Sequence, residues 1–393
     1  MAIKPFPRQR DRAELRQAVR DLCAKFSLDY WDRHDKQGAF PTEFAQAFAD
    51  AGFKGIIIPE EYGGGGGTMG DLLAVMEEVT SSGGGNNASS SIQIPLLCVP
   101  TLLAFGTEAQ KREILPKIAS GELFVTFGVT EPDAGTDTTK IRTTATRTGD
   151  GWVVNGTKVW NSGALVGQKV LLLVRTSTPG EGERKGDGLS LFLTDLQAPT
   201  IDIKPIAKIG RNAVQSAELF ITDHPVTEDQ LVGELGKGFY HLLHSLNGER
   251  LILSAVALGV GRWAVENAAR YATERVVFDR QIGKNQAVQH PIARAYLNLL
   301  AASEVLTRAV DEYETNGAGA VGALANAAKY LATEAAFAAC DDAMQVFGGY
   351  SFAREYHIGR HWIEARVQRI APVNNQMVLN YIAERELGLP RSY

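Results

Sequence analysis

Cysteine is scarce in this chain: 393 residues carry three, Cys23, Cys98 and Cys340, far apart and with no CxxC pair or Cys/His cluster. That excludes a zinc site or a vicinal redox pair on the usual spacings, leaves three thiols for packing, and predicts no metal. A strong excess of one charge is also missing. The net charge of −5 argues against a broad attraction to nucleic acid or to an anionic membrane, and leaves room for a local basic pocket around a phosphate-bearing ligand. No apolar run approaches the roughly 20 residues of a membrane span. The start, MAIKPFPRQRDRAELRQAV, turns charged at once where a signal peptide would be apolar, so a cytoplasmic, reducing location is expected. Gly63 to Gly67 and Gly83 to Gly85 lack the strand and lysine of a GxxxxGK[ST] phosphate cradle, and the GxGxxG dinucleotide fingerprint is absent. Both glycine runs are expected to be loops.

With 45% hydrophobic and 22% charged residues, the composition is that of a globular protein of two or three domains. Apolar residues at three- and four-residue spacing predict helices over Ala13 to Phe26, Phe44 to Phe53, Leu72 to Val79 and Ala109 to Ile118. From about Phe124 the texture changes to short β-branched segments: Thr143 to Arg147, Trp152 to Val154, Lys169 to Val174, Leu189 to Leu193 and Ala217 to Ile221. Gly149-Asp150-Gly151 and Asn155-Gly156 are the turn signals between them. With no long helices interleaved, these strands should be antiparallel and not a Rossmann sheet. After Gly236-Lys237-Gly238, periodic segments at Phe239 to Glu274, Gln289 to Asn316, Gly319 to Phe347 and Asn374 to Glu386 predict a bundle. The expected fold is α+β: an N-terminal helical domain (1–122), a middle antiparallel β domain (123–236) and a C-terminal four-helix bundle (237–393).

Phe127-Gly128-Val129-Thr130-Glu131-Pro132-Asp133-Ala134-Gly135-Thr136-Asp137 is followed by Gly151-Trp152-Val153-Val154-Asn155-Gly156-Thr157-Lys158-Val159-Trp160-Asn161-Ser162-Gly163. Hydroxyls, amides in a tight Gly/Pro turn and an aromatic suit a planar polar ring such as a flavin, and equally a decorated β-turn. In order and length the two stretches resemble the acyl-CoA dehydrogenase family, with its (F/Y)xxTEPxxGSD and DGxxxNGxKxWxxxG patterns. The resemblance implies that Phe127, Val129 and Thr130 contact the isoalloxazine ring of FAD, Trp160 shields its far face and Ser162 hydrogen-bonds its edge. Asn374 and Gln376 join this cofactor set, Thr136 replaces a serine near the CoA moiety, and Glu131 has a structural role.

Arg275-Val276-Val277-Phe278-Asp279-Arg280-Gln281-Ile282-Gly283-Lys284-Asn285-Gln286 could close a helix by packing and surface charge. It also resembles the family's RxxFGxxI…xxQ, which implies Arg275 on the FAD pyrophosphate and Phe278 and Gln286 on the adenosine half. Asp279 stands where glycine is usual and adds a negative charge there. Gln345-Val346-Phe347-Gly348-Gly349-Tyr350 resembles Q(I/V)xGGxG, implying that Gln345, Gly348 and Gly349 admit the FAD of a neighbouring subunit, most often in a homotetramer.

Removing hydrogen across an α,β bond needs a base for the α proton while the β hydride leaves for flavin N5, and a carboxylate in an apolar pocket can be tuned for that. The family's YEGT-like turn aligns with Ile370-Ala371-Pro372-Val373-Asn374-Asn375-Gln376, which puts Pro372 on the glutamate position. Proline also lacks the amide that helps polarise the thioester carbonyl. Leu246-Asn247-Gly248-Glu249-Arg250-Leu251 resembles the LxxER segment of the isovaleryl and long-chain branches. There Glu249 would be the base, and Asn247 and Arg250 would touch CoA; the plain alternative is a solvated helix charge. The resemblance thus implies an FAD-dependent acyl-CoA dehydrogenase of fatty acid metabolism that forms a trans-2-enoyl-CoA and passes electrons to an electron-transferring flavoprotein. Branched or bulky acyl groups are the expected substrates. A flavin-dependent monooxygenase or oxidase of the same fold, or a non-catalytic binding protein, is the alternative.

Overall fold

Polar caps and glycine stops divide the first third of the chain into helices α1 (Ala13–Cys23), α2 (Leu28–Gln37), α3 (Thr42–Asp50), α4 (Met69–Val79), α5 (Gly85–Leu96), α6 (Val99–Phe105) and α7 (Glu108–Ala119). The structure is a computed structural model that describes residues 11–182 and 184–392, so the first ten residues of the charged start and Tyr393 lie outside it. Ser27 accepts from the Tyr30 amide to open α2, and Gly38 ends it in the left-handed region. Capping boxes at Thr68/Asp71 and Thr107/Gln110 open α4 and α7.

The glycine run at 83–85 is not a loop. Thr80–Gly84 forms a π-helical turn joining α4 to α5, with Gly83 at φ 97° and Gly85 at φ 57°. The kink redirects the helical path, and only glycine takes those angles cheaply. As a result Met69–Phe105 is long and apolar enough to cross a membrane, as is Gly238–Glu274, with mean hydropathies of 1.5 and 1.2. This departs from the expectation that no segment would be; both stretches are mostly buried inside the protein and serve as core helices.

The middle strands are β1 (Val125–Gly128), β2 (Thr144–Thr148), β3 (Gly151–Ser162), β4 (Lys169–Arg175), β5 (Leu189–Asp195), β6 (Ile201–Pro205), β7 (Ser216–Thr227) and β8 (Leu231–Val232). They form one eight-stranded sheet in the order β6-β7-β3-β2-β4-β5-β8, with β1 added on β4. Its ladders are antiparallel apart from β1 on β4 and a single β2–β4 pair, which are parallel. The intervening β2–β3 hairpin supplies the long connection that a parallel β1–β4 pair requires. Gly149-Asp150 closes that hairpin, with Thr148 opposite Gly151. Asn155-Gly156, read as a turn signal, instead lies inside β3 at a bulge, where the register against β7 shifts between Val154 and Gly156. A Cβ on Gly156 would sit 2.6 Å from the Thr143 Cα, so the bulge depends on a bare backbone. Along β4 the side chains alternate: Leu171 and Leu173 pack into the helical core, Val170, Leu172 and Val174 into a second core on the other face.

The last part runs α8 (Gly238–Glu274), the short strands β9 (Val276–Val277) and β10 (Arg280–Gln281), α9 (Gln286–Asn316), α10 (Gly322–Phe347), α11 (Ile358–Gln368) and α12 (Asn375–Arg385). Three helices are long. The fourth expected segment, Asn374 to Glu386, is α12, and α11, which no expectation named, precedes it across Pro372, where a continuous helix cannot form. Buried ion pairs tie α1, α4 and α8 together: Arg16 reaches Glu77 at 3.2 Å and Glu78 at 2.7 Å, and Arg262 reaches Glu78 at 2.8 Å.

Candidate active site

A buried ion pair holds the loop that follows β1. Glu131 accepts from the amides of Arg142 (2.6 Å) and Thr143 (2.9 Å) and from Lys158 Nζ (2.8 Å), and Lys158 also donates to the Val129 carbonyl at 3.2 Å. Burial pulls the Lys158 ammonium down to about 8 against the attraction of Glu131. Burial also raises the Glu131 carboxyl, but Lys158 and the donated hydrogen bonds outweigh that and hold it below the usual carboxylate range. The Thr130 carbonyl accepts from the Val159 amide at 2.9 Å. Among the described residues its own amide and hydroxyl donate to no protein acceptor.

Trp160 sits at a second bulge of β3, where the register against β7 shifts between Lys158 and Asn161. Its φ of 64° is unusual for so large a side chain, and the indole is 57% exposed. Two residues on, the Ser162 carbonyl accepts from Thr126 at 2.7 Å, while its hydroxyl accepts from Arg211 Nη2 at 2.5 Å and lies 3.3 Å from the Ser216 hydroxyl. Phe127 and Val129 pack partly against the helical core. An out-turned indole, the open donors of Thr130 and a polarised serine fit a flat ring edged with acceptor atoms, which is what a flavin presents.

A second cluster lies at the C-terminal end of α8. Arg275, Val277, Ile282, Phe347, Gly349 and Tyr350 line a cavity of about 540 Å³, with the Arg275 guanidinium 5.8 Å from the Tyr350 ring centre. Val277 pairs with Arg280, leaving the two-residue turn Phe278-Asp279 with φ of 51° and 59°. That turn type needs positive φ at both positions, which explains why aspartate can stand for the family's glycine at 279. Phe278 is 94% exposed, and Gln286, Gln345, Gly348 and Gly349 are exposed too. Beyond their chain neighbours, no atom of the described residues lies within 4 Å of where a Cβ on either glycine would be, so their backbone is open to a ligand.

The carboxylate candidate is on α8. Glu249 is half-buried and makes no hydrogen bond or ion pair among the described residues. Burial pushes it up to about 7, against the lowering influence of Arg250. Asn247 is engaged at both ends of its amide: Nδ2 donates to the Ala318 carbonyl at 2.8 Å, and Oδ1 accepts from Arg250 Nη1 at 2.9 Å. Arg250 Nε is buried without a hydrogen-bond partner among the described residues. Asn374 caps α12 and donates to the Thr136 hydroxyl at 3.2 Å, tying the Pro372 segment to the loop after Thr130. Pro372 and Gln376 are exposed. Glu249 and Arg275 are 26 residues apart on α8 and its C-cap, about 39 Å along a helix.

The sequence patterns do not flag Arg211 or its neighbour Lys208, since a contact across 49 residues leaves no spacing signal. Burial, with Arg211 alongside, pulls the Lys208 ammonium down to about 7.

Three family descriptions match in order: the acyl-CoA dehydrogenase N-terminal domain over residues 9–122, its middle domain over 126–224 and its C-terminal domain over 236–387. The acyl-CoA dehydrogenase fadE12 of Mycobacterium bovis is 35% identical over 393 residues, covering 100% of both chains. A glutaryl-coenzyme A dehydrogenase solved with glutaryl-CoA superposes with a TM-score of 0.89 at 28% identity, over 100% of this chain and 98% of that one. The prolyl acyl carrier protein oxidase AnaB superposes with a TM-score of 0.89 at 26% identity, over 96% of this chain and 98% of that one.

Proposed function

The chain belongs to the acyl-CoA dehydrogenase family, and on that premise we propose that it converts an acyl-CoA thioester to the trans-2-enoyl-CoA, with Glu249 as the base. The observation that carries this is a half-buried carboxylate with no hydrogen-bond or ion-pair partner among the described residues, pushed up to about 7 and set beside Arg250. Bound FAD supplies the acceptor for the hydride that leaves the β carbon. Glu249 takes the α proton. Arg250, oriented by Asn247, faces the CoA chain, and its unpartnered Nε has a hydrogen bond left to donate. Thr130, Trp160 and Ser162 hold the ring, while Thr136, joined to Asn374, lines the CoA side. Residue 372 contributes no amide to the thioester carbonyl, so its polarisation falls to other donors.

The sign of the pH dependence follows. Glu249 is competent when deprotonated, so the rate of substrate-driven flavin reduction should climb about tenfold per pH unit below about 7 and level off above it. Anaerobic stopped-flow traces across that range check this, and a rate independent of pH would remove Glu249 from the role.

The distance along α8 supports assembly. About 39 Å separates Glu249 from Arg275, further than one dinucleotide extends. The Arg275, Phe278, Gln286, Gln345, Gly348 and Gly349 face therefore serves the FAD of a neighbouring subunit in a homotetramer. Cytoplasmic fatty acid metabolism, re-oxidation by an electron-transferring flavoprotein and a branched or bulky acyl group complete the proposal.

The likeness to AnaB favours one second reading, an oxidase acting on a non-CoA thioester. Anaerobic titration with a panel of acyl-CoA and acyl carrier protein thioesters decides. Bleaching by one class names the substrate, and bleaching with stoichiometric peroxide on aeration points to the oxidase. A yellow protein bleached by no thioester overturns both.

A further inference from the structure

The segment between β6 and β7 places two cations beneath the serine at the end of β3. Arg211 Nη2 donates to the Ser162 hydroxyl at 2.5 Å. Lys208 Nζ donates to the carbonyls of Arg211 and Val214, both at 2.9 Å, and to the Ser216 hydroxyl at 3.3 Å, which in turn lies 3.3 Å from the Ser162 hydroxyl. Neither cation has a carboxylate within ion-pair distance among the described residues, although both are partly buried. Asp35 and Glu364 act on them only from further away.

The segment is braced from three sides. The Asn212 amide donates to Asp35 of α2 at 2.8 Å, the Ala213 amide donates to Asn87 of α5 at 3.1 Å, and Gln215 donates to the Gly38 carbonyl at 2.9 Å. Arg211 itself is held at φ 55°, in the left-handed region that a long side chain seldom occupies. Such a residue persists only where its surroundings fix it, and it marks a place where a side chain has to point one way. Here that way is the Ser162 hydroxyl.

We propose that Arg211 is a positioning residue for the flavin: it occupies a lone pair of Ser162, turns the serine proton toward the ring edge, and holds a positive charge one hydroxyl away from it. This rests on the placement of the flavin at Ser162 in the reading above. A hydroxyl that accepts from a guanidinium is a stronger donor to its own acceptor, because the two bonds polarise one another. A cation in that place favours the form of the ring that has gained negative charge on reduction.

The test is the flavin midpoint potential of the FAD-saturated enzyme, measured by anaerobic dye-equilibrated reduction. Arg211→Gln should disfavour reduction about tenfold, a fall of about 30 mV for a two-electron couple. Arg211→Lys, which keeps the charge, should shift less. In Ser162→Ala, adding Arg211→Gln should lower the potential by less than it does in the wild type, because the hydrogen-bonded link is already gone and only the charge is left to lose. A role limited to bracing the loop would lower thermal stability and leave the potential in place, and that result overturns the proposal, as would shifts that add in the double variant. If Arg211→Gln cannot be loaded with FAD, Arg211→Lys carries the test: a shift as large as that of Ser162→Ala overturns the proposal, and a smaller one supports it. A visible flavin spectrum identical in Ser162→Ala and wild type would instead remove the flavin from Ser162, a failure of the underlying reading and not of Arg211 alone.

Discussion

Glu249→Gln is expected to give a yellow, folded protein whose flavin is bleached by its acyl-CoA substrate about a thousandfold more slowly than in the wild type. The amide preserves the volume and removes the proton acceptor, so thioester affinity should change little while the reduction step collapses. Rapid-mixing absorbance under nitrogen separates the two, because binding perturbs the flavin band before reduction bleaches it. The rise with pH described above should vanish in the same variant. Near-normal bleaching by Glu249→Gln would place the base elsewhere, and Pro372 leaves the segment that carries it in many relatives with no carboxylate at that position.

Lys158→Met should be the most damaging single change in the β domain. It leaves Glu131 charged and 6% exposed without the one cation within ion-pair distance of it among the described residues, which costs about 3–5 kcal/mol. The loss should appear as a lower urea midpoint together with weaker retention of flavin, since Lys158 also holds the Val129 carbonyl beside the ring site. Changing Glu131→Gln in the same protein should recover most of the stability, because the stranded charge goes with it. A single variant within about 1 kcal/mol of wild type would mean that losing Lys158 strands no buried charge.

Much of the fold could be read from side-chain periodicity, and the failures share a cause. The continuous apolar run of β4, buried on both faces, and the apolar stripes of α9 and α10 announce themselves because the residues that must be covered are contiguous or periodic in the sequence. Helix α5 carries Asn86, Asn87 and three consecutive serines, and it is buried on nearly every side, so no stripe exists to be found. Helix α2 is mostly polar apart from Leu28, Tyr30 and the buried Trp31, and takes its ends from Ser27 and Gly38. The bulges that turn Trp160 outward and absorb Gly156 come from β3 pairing with β7, a partner more than fifty residues away. The candidate site divides in the same manner. Short contiguous motifs located Thr130, Ser162 and Glu249, whereas the burial that lifts Glu249 and the guanidinium that reaches Ser162 arise only when distant segments close around them.

The separation of the two clusters along α8 has a thermodynamic corollary. If each chain supplies the ring wall of one dinucleotide and the adenosine wall of another, cofactor loading is governed by mass action between protein chains as well as between protein and ligand. Dilution would then strip flavin from an enzyme whose individual contacts are intact, and added dinucleotide would drive assembly. A cell could not hold a stock of loaded monomers. The prosthetic group would act as part of the mortar of the oligomer, and the yellow colour of a preparation would report its quaternary state.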